Sequence, residues 1–268
     1  MTAFDECERK IWAGRADAYA RSFARLCAYP VSLMLGMSGI RAGMALLDAG
    51  TGTGTIAAAA CEQGAKVTAV DAEPGMVELA AQAAPGAHVQ VAALPELPFA
   101  DGEFNVAVGN FVLNHVGQPR KALSELRRVT RPGGRIVLTV WASPSGAGQA
   151  LFGRALQAAG VTRPAHLPTL DTADDFPRNE KGFGDLLRHA GLTDVSCERL
   201  DWNHRATPEE WWSGPAAGVA SIGQIVVSQK PETIAAIKQH YDVLSAEFAD
   251  TDGVLILPHT ALVAHGRA

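Results

Sequence analysis

Three glycines on alternate positions follow a short apolar segment within residues 46–54. A leucine pair leads into Asp48, and Gly50, Gly52 and Gly54 come next, before an alanine-rich segment. Because glycine has no Cβ and tolerates positive φ, such a loop can bring its backbone against a ligand. The N–H groups of the loop and of the following helix then face that ligand. The pattern predicts a ligand-binding loop between a strand and a helix.

The spacing of these glycines disfavours two common nucleotide motifs. A dinucleotide fingerprint has the form G-x-G-x-x-G/A, and counted from Gly50 its third small position falls on Thr55. A P-loop requires Gly-Lys-Ser or Gly-Lys-Thr, and this segment contains no lysine. The loop is therefore neither of these two phosphate-binding motifs.

A second apolar segment, residues 67–70, ends in Asp71. It lies about 20 residues after Gly50, where a carboxylate at the end of the second strand can accept both hydroxyl groups of a ribose. Because that carboxylate is charged, these hydrogen bonds would be strong. The alternative is that Asp71 caps the helix that begins near Pro74.

Five segments in this order resemble the motifs of class I S-adenosylmethionine (SAM) dependent methyltransferases, in particular the ubiquinone and menaquinone methyltransferase-like enzymes. They are residues 46–54, 67–71, 97–108, 111–116 and 131–135. The resemblance implies that SAM is the cofactor and that its methyl group passes to an O, N or C atom of a small apolar or aromatic molecule. Two alternatives stay open: a SAM-binding fold that catalyses a cyclisation or decarboxylation, and a non-catalytic binding protein.

The resemblance also implies which residues hold SAM. They lie in the N-terminal helix, in the glycine loop and just after the strands: Tyr19, Asp48, Ala49, Gly50, Thr51, Gly52, Asp71, Ala72, Met76, Ala93, Leu94, Asn110 and Phe111. Asp48 would hold the methionine part of SAM or cap the local turn. Ala93 replaces an aspartate that accepts from the adenine amino group in many relatives, so a backbone carbonyl or Glu96 would have to accept instead.

His115 is the candidate catalytic residue, because histidine exchanges protons near neutral pH and can act as a general base. The alternative is a structural histidine bonded to the following helix. The eight histidines show no metal-binding spacing such as H-E-x-x-H, so no metal is expected.

The composition narrows the partners and the location. A net charge of −5 argues against binding a nucleic-acid backbone. The four cysteines are far apart, which favours reduced thiols in the cytoplasm. No apolar segment is long enough to span a membrane. A small-molecule substrate is expected, and homo-oligomer formation is left open.

Alternating strand and helix patterns from residue 44 predict an α/β fold with a parallel sheet. The resemblance implies a Rossmann-like, seven-stranded, mostly parallel sheet with an antiparallel last strand. The expected units are an N-terminal helical cap or lid, the SAM-binding core, an inserted helical cap and the last strand, at residues 1–43, 44–202, 203–252 and 253–268.

Two features outside the core carry further expectations. The apolar spacing of residues 5–26 predicts one amphipathic helix, whose Trp12 and Tyr19 either close over SAM or simply pack. The last strand, residues 254–265, contains Pro258, which predicts a bulge because proline cannot donate to a strand ladder.

Overall fold

The computed structural model describes residues 2–268 and contains one sheet of seven strands. Their order across the sheet is β3-β2-β1-β4-β5-β7-β6. The first five strands in this order are parallel, whereas β7 runs antiparallel to both β5 and β6. This topology confirms the predicted fold class. The strands are β1 (Ala45–Ala49), β2 (Lys66–Asp71), β3 (His88–Val91), β4 (Phe104–Asn110), β5 (Thr130–Trp141), β6 (Thr193–Ala206) and β7 (Leu255–Arg267).

Helices cover the sheet and extend beyond its end. In chain order they are α1 (Ala3–Trp12), α2 (Ala16–Arg21), α3 (Ala24–Cys27), α4 (Val31–Ser38), α5 (Thr55–Glu62), α6 (Pro74–Ala83), α7 (Pro119–Val129), α8 (Ala147–Ala158), α9 (Glu180–His189), α10 (Pro208–Ala216), α11 (Ala220–Val227) and α12 (Pro231–Ser245). No helix within residues 2–268 is both long and apolar enough to cross a membrane.

Both faces of the sheet are buried, as expected for parallel strands. On one face, Leu126 of α7 and Phe183 of α9 belong to the same buried cluster as Leu138 of β5. On the other face, α4 and α5 contribute to a second buried cluster. The central strands are thereby held rigidly, with their carboxyl ends at one edge of the domain.

The N-terminal segment is not the single helix that its apolar spacing predicts. It forms α1, α2 and α3, and the first break falls at Gly14, whose φ is +69°. The Gly14 N–H donates to Glu73 Oε1 at 3.1 Å, so a contact with the core replaces the helical bond. The break lets Trp12 and Tyr19 meet edge to face, with ring centroids 5.5 Å apart.

The last strand, β7, has no bulge at Pro258, so that prediction was wrong. Pro258 pairs in register with Asn203, and the pairing shifts only between Thr193 and Ser196. Pairing of β7 with β5 stops at Ala261, so β7 has no strand on that side at Pro258. A missing N–H is tolerated at such an edge. β6 continues to Ala206, and the first of the inserted helices, α10, begins at Pro208.

Candidate active site

One large cavity, with a volume of about 1390 Å³, lies at the carboxyl ends of β1, β2 and β4. This is the edge of an open α/β sheet where ligands bind. The structure brings together twelve of the fourteen residues predicted for the site, and these line the cavity: Tyr19, Ala49, Gly50, Gly52, Asp71, Ala72, Met76, Ala93, Leu94, Asn110, Phe111 and His115. Asp48 and Thr51 do not line it.

The glycine loop turns sharply between β1 and α5. Gly50 has φ +72°, and a Cβ added there would come within 2.4 Å of Val112 Cγ2. Gly54 has φ +83°, and a Cβ would meet the Ala80 Cα at 2.7 Å. Side chains rarely adopt this backbone conformation, and neither position has room for one. Because Gly50 lines the cavity, the chain can present its backbone there only with glycine.

Asp71 closes β2 and faces the glycine loop. Its Oδ2 accepts from the Gly52 N–H at 2.9 Å, and its Oδ1 accepts from the Glu73 N–H at 3.0 Å. Burial raises the pKa of Asp71, and these two N–H groups oppose that increase. The N-cap residue of α6 is Glu73, so Asp71 does not cap this helix as the alternative predicted. Asp71 caps only the local turn before the helix, by accepting from the Glu73 N–H. Each carboxylate oxygen keeps accepting capacity for a ligand hydroxyl.

Asp48 and Thr51 lie beneath the loop rather than on the wall of the cavity. Asp48 is 1% exposed, and its Oδ2 accepts from Thr51 Oγ1 at 2.7 Å. Its Oδ1 is buried without a partner, and burial raises the pKa of Asp48 to about 7. A side pocket of about 30 Å³ touches both residues, together with Gly50 and Gly52. That volume is enough for one water molecule.

The end of β4 is fixed by a short chain of hydrogen bonds. The Phe111 N–H donates to Thr139 Oγ1 at 2.9 Å, and that hydroxyl donates to Asn110 Oδ1 at 2.6 Å. Asn110 Nδ2 then donates to the Cys27 carbonyl at 2.7 Å, which ties α3 to the core. Phe111 has φ +59°, a strained conformation of the kind that clusters at functional sites.

The N-terminal helices cover the glycine loop. The Tyr19 ring lies over Gly52, where an added Cβ would be 3.7 Å from Tyr19 Cε1. Burial raises the pKa of the Tyr19 hydroxyl. Trp12 and Tyr19 both line the cavity, so the aromatic side of this segment faces the site instead of packing only in a core.

His115 is paired with a carboxylate that sequence reasoning did not identify. Its Nδ1 lies 2.8 Å from Glu8 Oε2, and Glu8 is 6% exposed. The same Glu8 oxygen accepts from Trp12 Nε1 at 3.2 Å. Two residues on, the Gly117 N–H donates to Asp5 Oδ1 at 2.6 Å. These contacts hold α1 against the loop after β4 and orient the imidazole beside the cavity.

The part of the cavity farther from the glycine loop has aromatic walls. Phe111 and Trp141 stack with ring centroids 4.0 Å apart. Phe152 stacks on Trp211 at 5.5 Å, and His259 lies edge-on to Trp211 at 5.3 Å. All five residues line the cavity. The sequence offered no local signal for Phe152 or His259, because neither belongs to a recognisable motif.

The adenine side of the predicted cofactor site contains both acceptors that could replace the missing aspartate. Ala93 and Glu96 line the cavity. The Ala93 carbonyl already accepts from the Glu96 N–H at 3.1 Å. The Glu96 carboxylate therefore has more capacity left to accept a hydrogen bond than the Ala93 carbonyl has.

The comparisons with known proteins agree with this geometry. The family model of the methyltransferase domain matches residues 47–138. Demethylmenaquinone methyltransferase from Beutenbergia cavernae is 33% identical over 171 residues, which are 60% of this chain and 71% of that protein. The chain belongs to the class I SAM-dependent methyltransferases. The methyltransferase thus uses SAM as its cofactor and transfers a methyl group to a small molecule.

Two further proteins show how far the similarity extends. Malonyl-[acyl-carrier protein] O-methyltransferase from Serratia marcescens is 37% identical over 112 residues, covering 42% of this chain and 44% of that protein. The methyltransferase therefore spans less than half of that relative. Phosphoethanolamine N-methyltransferase 2 from Haemonchus contortus, solved in complex with SAM, has a TM-score of 0.52 at 17% identity and shares the fold over 89% of this chain and 52% of that one. These names specify different acceptors, so the acceptor has to be inferred from the cavity.

Proposed function

We propose that this methyltransferase transfers the methyl group of SAM to an O, N or C atom of a small, flat, largely apolar molecule. The observation that carries the proposal is a single cavity that joins the glycine loop and Asp71 to a wall of aromatic rings. Typical ligand pockets measure about 300–1000 Å³, whereas this cavity, at about 1390 Å³, has room for two reactants.

The residues at the glycine-loop end fit SAM. Gly50 and Gly52 leave their backbone open to the cavity where side chains would collide or be strained. Asp71, which directly precedes Ala72 in the chain, would accept from the ribose hydroxyls. The wall beside the adenine would consist of Ala72, Met76, Ala93 and Leu94. Asp48 and Thr51 would act through a water molecule in the side pocket, since neither reaches the cavity directly.

The Glu96 carboxylate would accept a hydrogen bond from the adenine amino group in place of the missing aspartate. It lines the cavity beside Ala93. The carbonyl of Ala93 already has one donor, so its remaining capacity is smaller. Glu96→Gln should therefore reduce SAM affinity less than loss of Asp71 does, because an amide oxygen can still accept.

When bound, SAM supplies an electrophilic methyl group on a sulfonium. The chain would supply position and shielding, and holding two reactants in line accounts for much of the rate in such a displacement. Asn110 and Phe111 line the cavity at the end of β4, and Tyr19 and Trp12 line it from the N-terminal helices. Water would be excluded by these rings.

His115 would act as a general base for acceptors whose proton is hard to lose. Glu8 bonds to its Nδ1 at 2.8 Å, which leaves Nε2 as the nitrogen that can receive a proton. A carboxylate that orients a histidine in this way is the arrangement found in catalytic triads. The same contact also holds α1 in place, so a structural role for His115 would act through α1 and not, as the alternative predicted, through the following helix.

We also propose that the reaction takes place in the cytoplasm and that nucleic acid is not the acceptor. The four cysteines are free, as thiols are in a reducing compartment. The net charge of −5 disfavours a polyanionic partner. Homo-oligomer formation stays a prediction, which light scattering after size-exclusion chromatography would test.

Titration of the protein with SAM tests the proposal. Asp71→Ala should raise the Kd for SAM by about 100-fold, since two hydrogen bonds to a charged group are lost. Asp101→Ala is the matched control, because the Asp101 side chain is 82% exposed and pairs only with Arg128. An unchanged Kd in folded Asp71→Ala protein would show that SAM binds elsewhere. Mass spectrometry of products from candidate aromatic acceptors should show one added methylene unit together with S-adenosylhomocysteine.

A further inference from the structure

The ring of His259 presents an unused acceptor at the aromatic end of the cavity. His259 is 1% exposed, and its Nδ1 lies 2.8 Å from the Leu257 carbonyl oxygen. Because a carbonyl only accepts, Nδ1 must carry the proton, and Nε2 is left with a free lone pair. Nε2 is buried and has no partner. Buried polar groups are nearly always hydrogen-bonded, so this nitrogen points to a ligand.

Two other unpartnered polar atoms occur in the same wall. Helix α8 packs directly on β7 because Gly146 and Gly148 have no side chains: an added Cβ would be 2.8 Å from the His259 Cα and 2.6 Å from the Leu257 Cα. This packing brings Gln149 to the cavity, where its Oε1 has no partner. Trp211 Nε1 on α10 is likewise buried and unpartnered. Three elements of this wall therefore each carry a buried polar atom without a partner.

We propose that His259 Nε2 accepts a hydrogen bond from a hydroxyl group on the methyl-acceptor molecule, so that the preferred substrate is a hydroxylated aromatic compound. A hydroxyl group can donate to His259 and accept from Trp211 Nε1 at the same time. Flat rings would pack against Phe152 and Trp141, which line the same wall. This inference rests on the proposed function, because it names the substrate class for that site.

His259 would select the substrate rather than take its proton. Burial among Trp202, Trp211 and His204 lowers the pKa of His259 to about 4. The ring is therefore neutral at pH 7 and resists becoming an imidazolium. A neutral acceptor orients a hydroxyl and increases the affinity for molecules that carry one. The proton would be removed by His115 or by water. We therefore class His259 as a specificity-determining residue.

A pair of probes that differ only at the hydroxyl tests this role. Calorimetric titration with 2-naphthol and with 2-methoxynaphthalene, in the presence of S-adenosylhomocysteine, should show about tenfold tighter binding of 2-naphthol to the natural protein. In His259→Phe the two affinities should become equal. His204→Phe is the control and should keep the tenfold ratio. The ring centroids of His204 and His259 are 6.1 Å apart, but His204 does not line the cavity.

Equal affinities of the two probes for the natural protein, or no binding of 2-naphthol, would overturn the inference, and so would an unchanged ratio in His259→Phe. A water molecule that satisfies Nε2 would produce the first of these results. If His259→Phe does not fold, the ¹⁵N resonance of His259 Nε2 in the natural protein decides: it should shift with 2-naphthol and not with 2-methoxynaphthalene. Binding of S-adenosylhomocysteine, measured on the same protein before the probes are added, separates the two proposals, because S-adenosylhomocysteine bound with equal probe affinities contradicts only this one.

Discussion

Asp48 is a buried carboxyl group, and its removal should change the pH dependence of folding. Burial raises its pKa to about 7 from an ordinary value of 3.8, a difference of about 3. One pKa unit corresponds to about 1.4 kcal/mol, so ionising Asp48 opposes folding by about 4 kcal/mol. Because the folded state binds this proton more tightly, the associated stability is fully present below pH 3.8. It is lost as the pH rises towards 7.

Asp48→Asn removes this titration but keeps the acceptor for the Thr51 hydroxyl, which bonds Asp48 at 2.7 Å. Between pH 5 and pH 8 the natural protein should lose about 2.5 kcal/mol of stability through Asp48 alone. The free energy of unfolding of Asp48→Asn, relative to the natural protein, should therefore increase by about 2.5 kcal/mol over that range.

Urea unfolding of the ligand-free protein, followed by tryptophan fluorescence at pH 5 and pH 8, measures this difference. Asp17→Asn is the control, because Asp17 is exposed on α2, and its difference from the natural protein should not change with pH. A difference for Asp48→Asn that stays the same at both pH values would refute the reasoning. It would mean that Asp48 is solvated or paired in the folded protein.

Two further substitutions test the loop and the base. Gly50→Ala should weaken SAM binding and lower the free energy of unfolding by about 3 kcal/mol. Gly133→Ala is the control and should lower it by about 1 kcal/mol, because Gly133 has a similar φ of +74° but no neighbour within 4 Å. Equal losses in urea unfolding would exclude the clash with Val112. If Glu8 orients His115 as a base, Glu8→Gln should lower kcat at least about tenfold and leave the Kd for SAM unchanged. A lower melting temperature with an unchanged kcat would show that the contact is purely structural.

Local pattern was enough to predict which residues meet at the glycine-loop end of the cavity. The glycine loop, Asp71 and the residues after β4 belong to strand-loop-helix units that are contiguous in the chain, and parallel strands bring their carboxyl ends to one edge. That is why Gly50, Asp71 and Asn110 line one cavity although they lie in different motifs. Asp48 shows the limit of the pattern: its place in the motif was clear, but only packing shows that it lies beneath the loop and lines a side pocket instead of the cavity.

Helical spacing overestimated the continuity of the N-terminal segment. The apolar positions of residues 5–26 fit one helix, yet the chain bends at Gly14, where Glu73 accepts its N–H. Intrinsic helix preference amounts to less than about 1 kcal/mol per residue, so a contact with the core can override it. The bend is what places Trp12 and Tyr19 together over the cavity.

The sequence by itself determined the order of strands and helices, the shape of the glycine loop and the position of Asp71, because each depends on residues close together in the chain. Only the tertiary structure decided which side chains meet across the cavity. Glu8 and His115 are 107 positions apart, and α8 lies against β7 at Leu257 and His259 only because Gly146 and Gly148 have no side chains. No local periodicity encodes such meetings, since they follow from how the capping helices pack on the finished sheet.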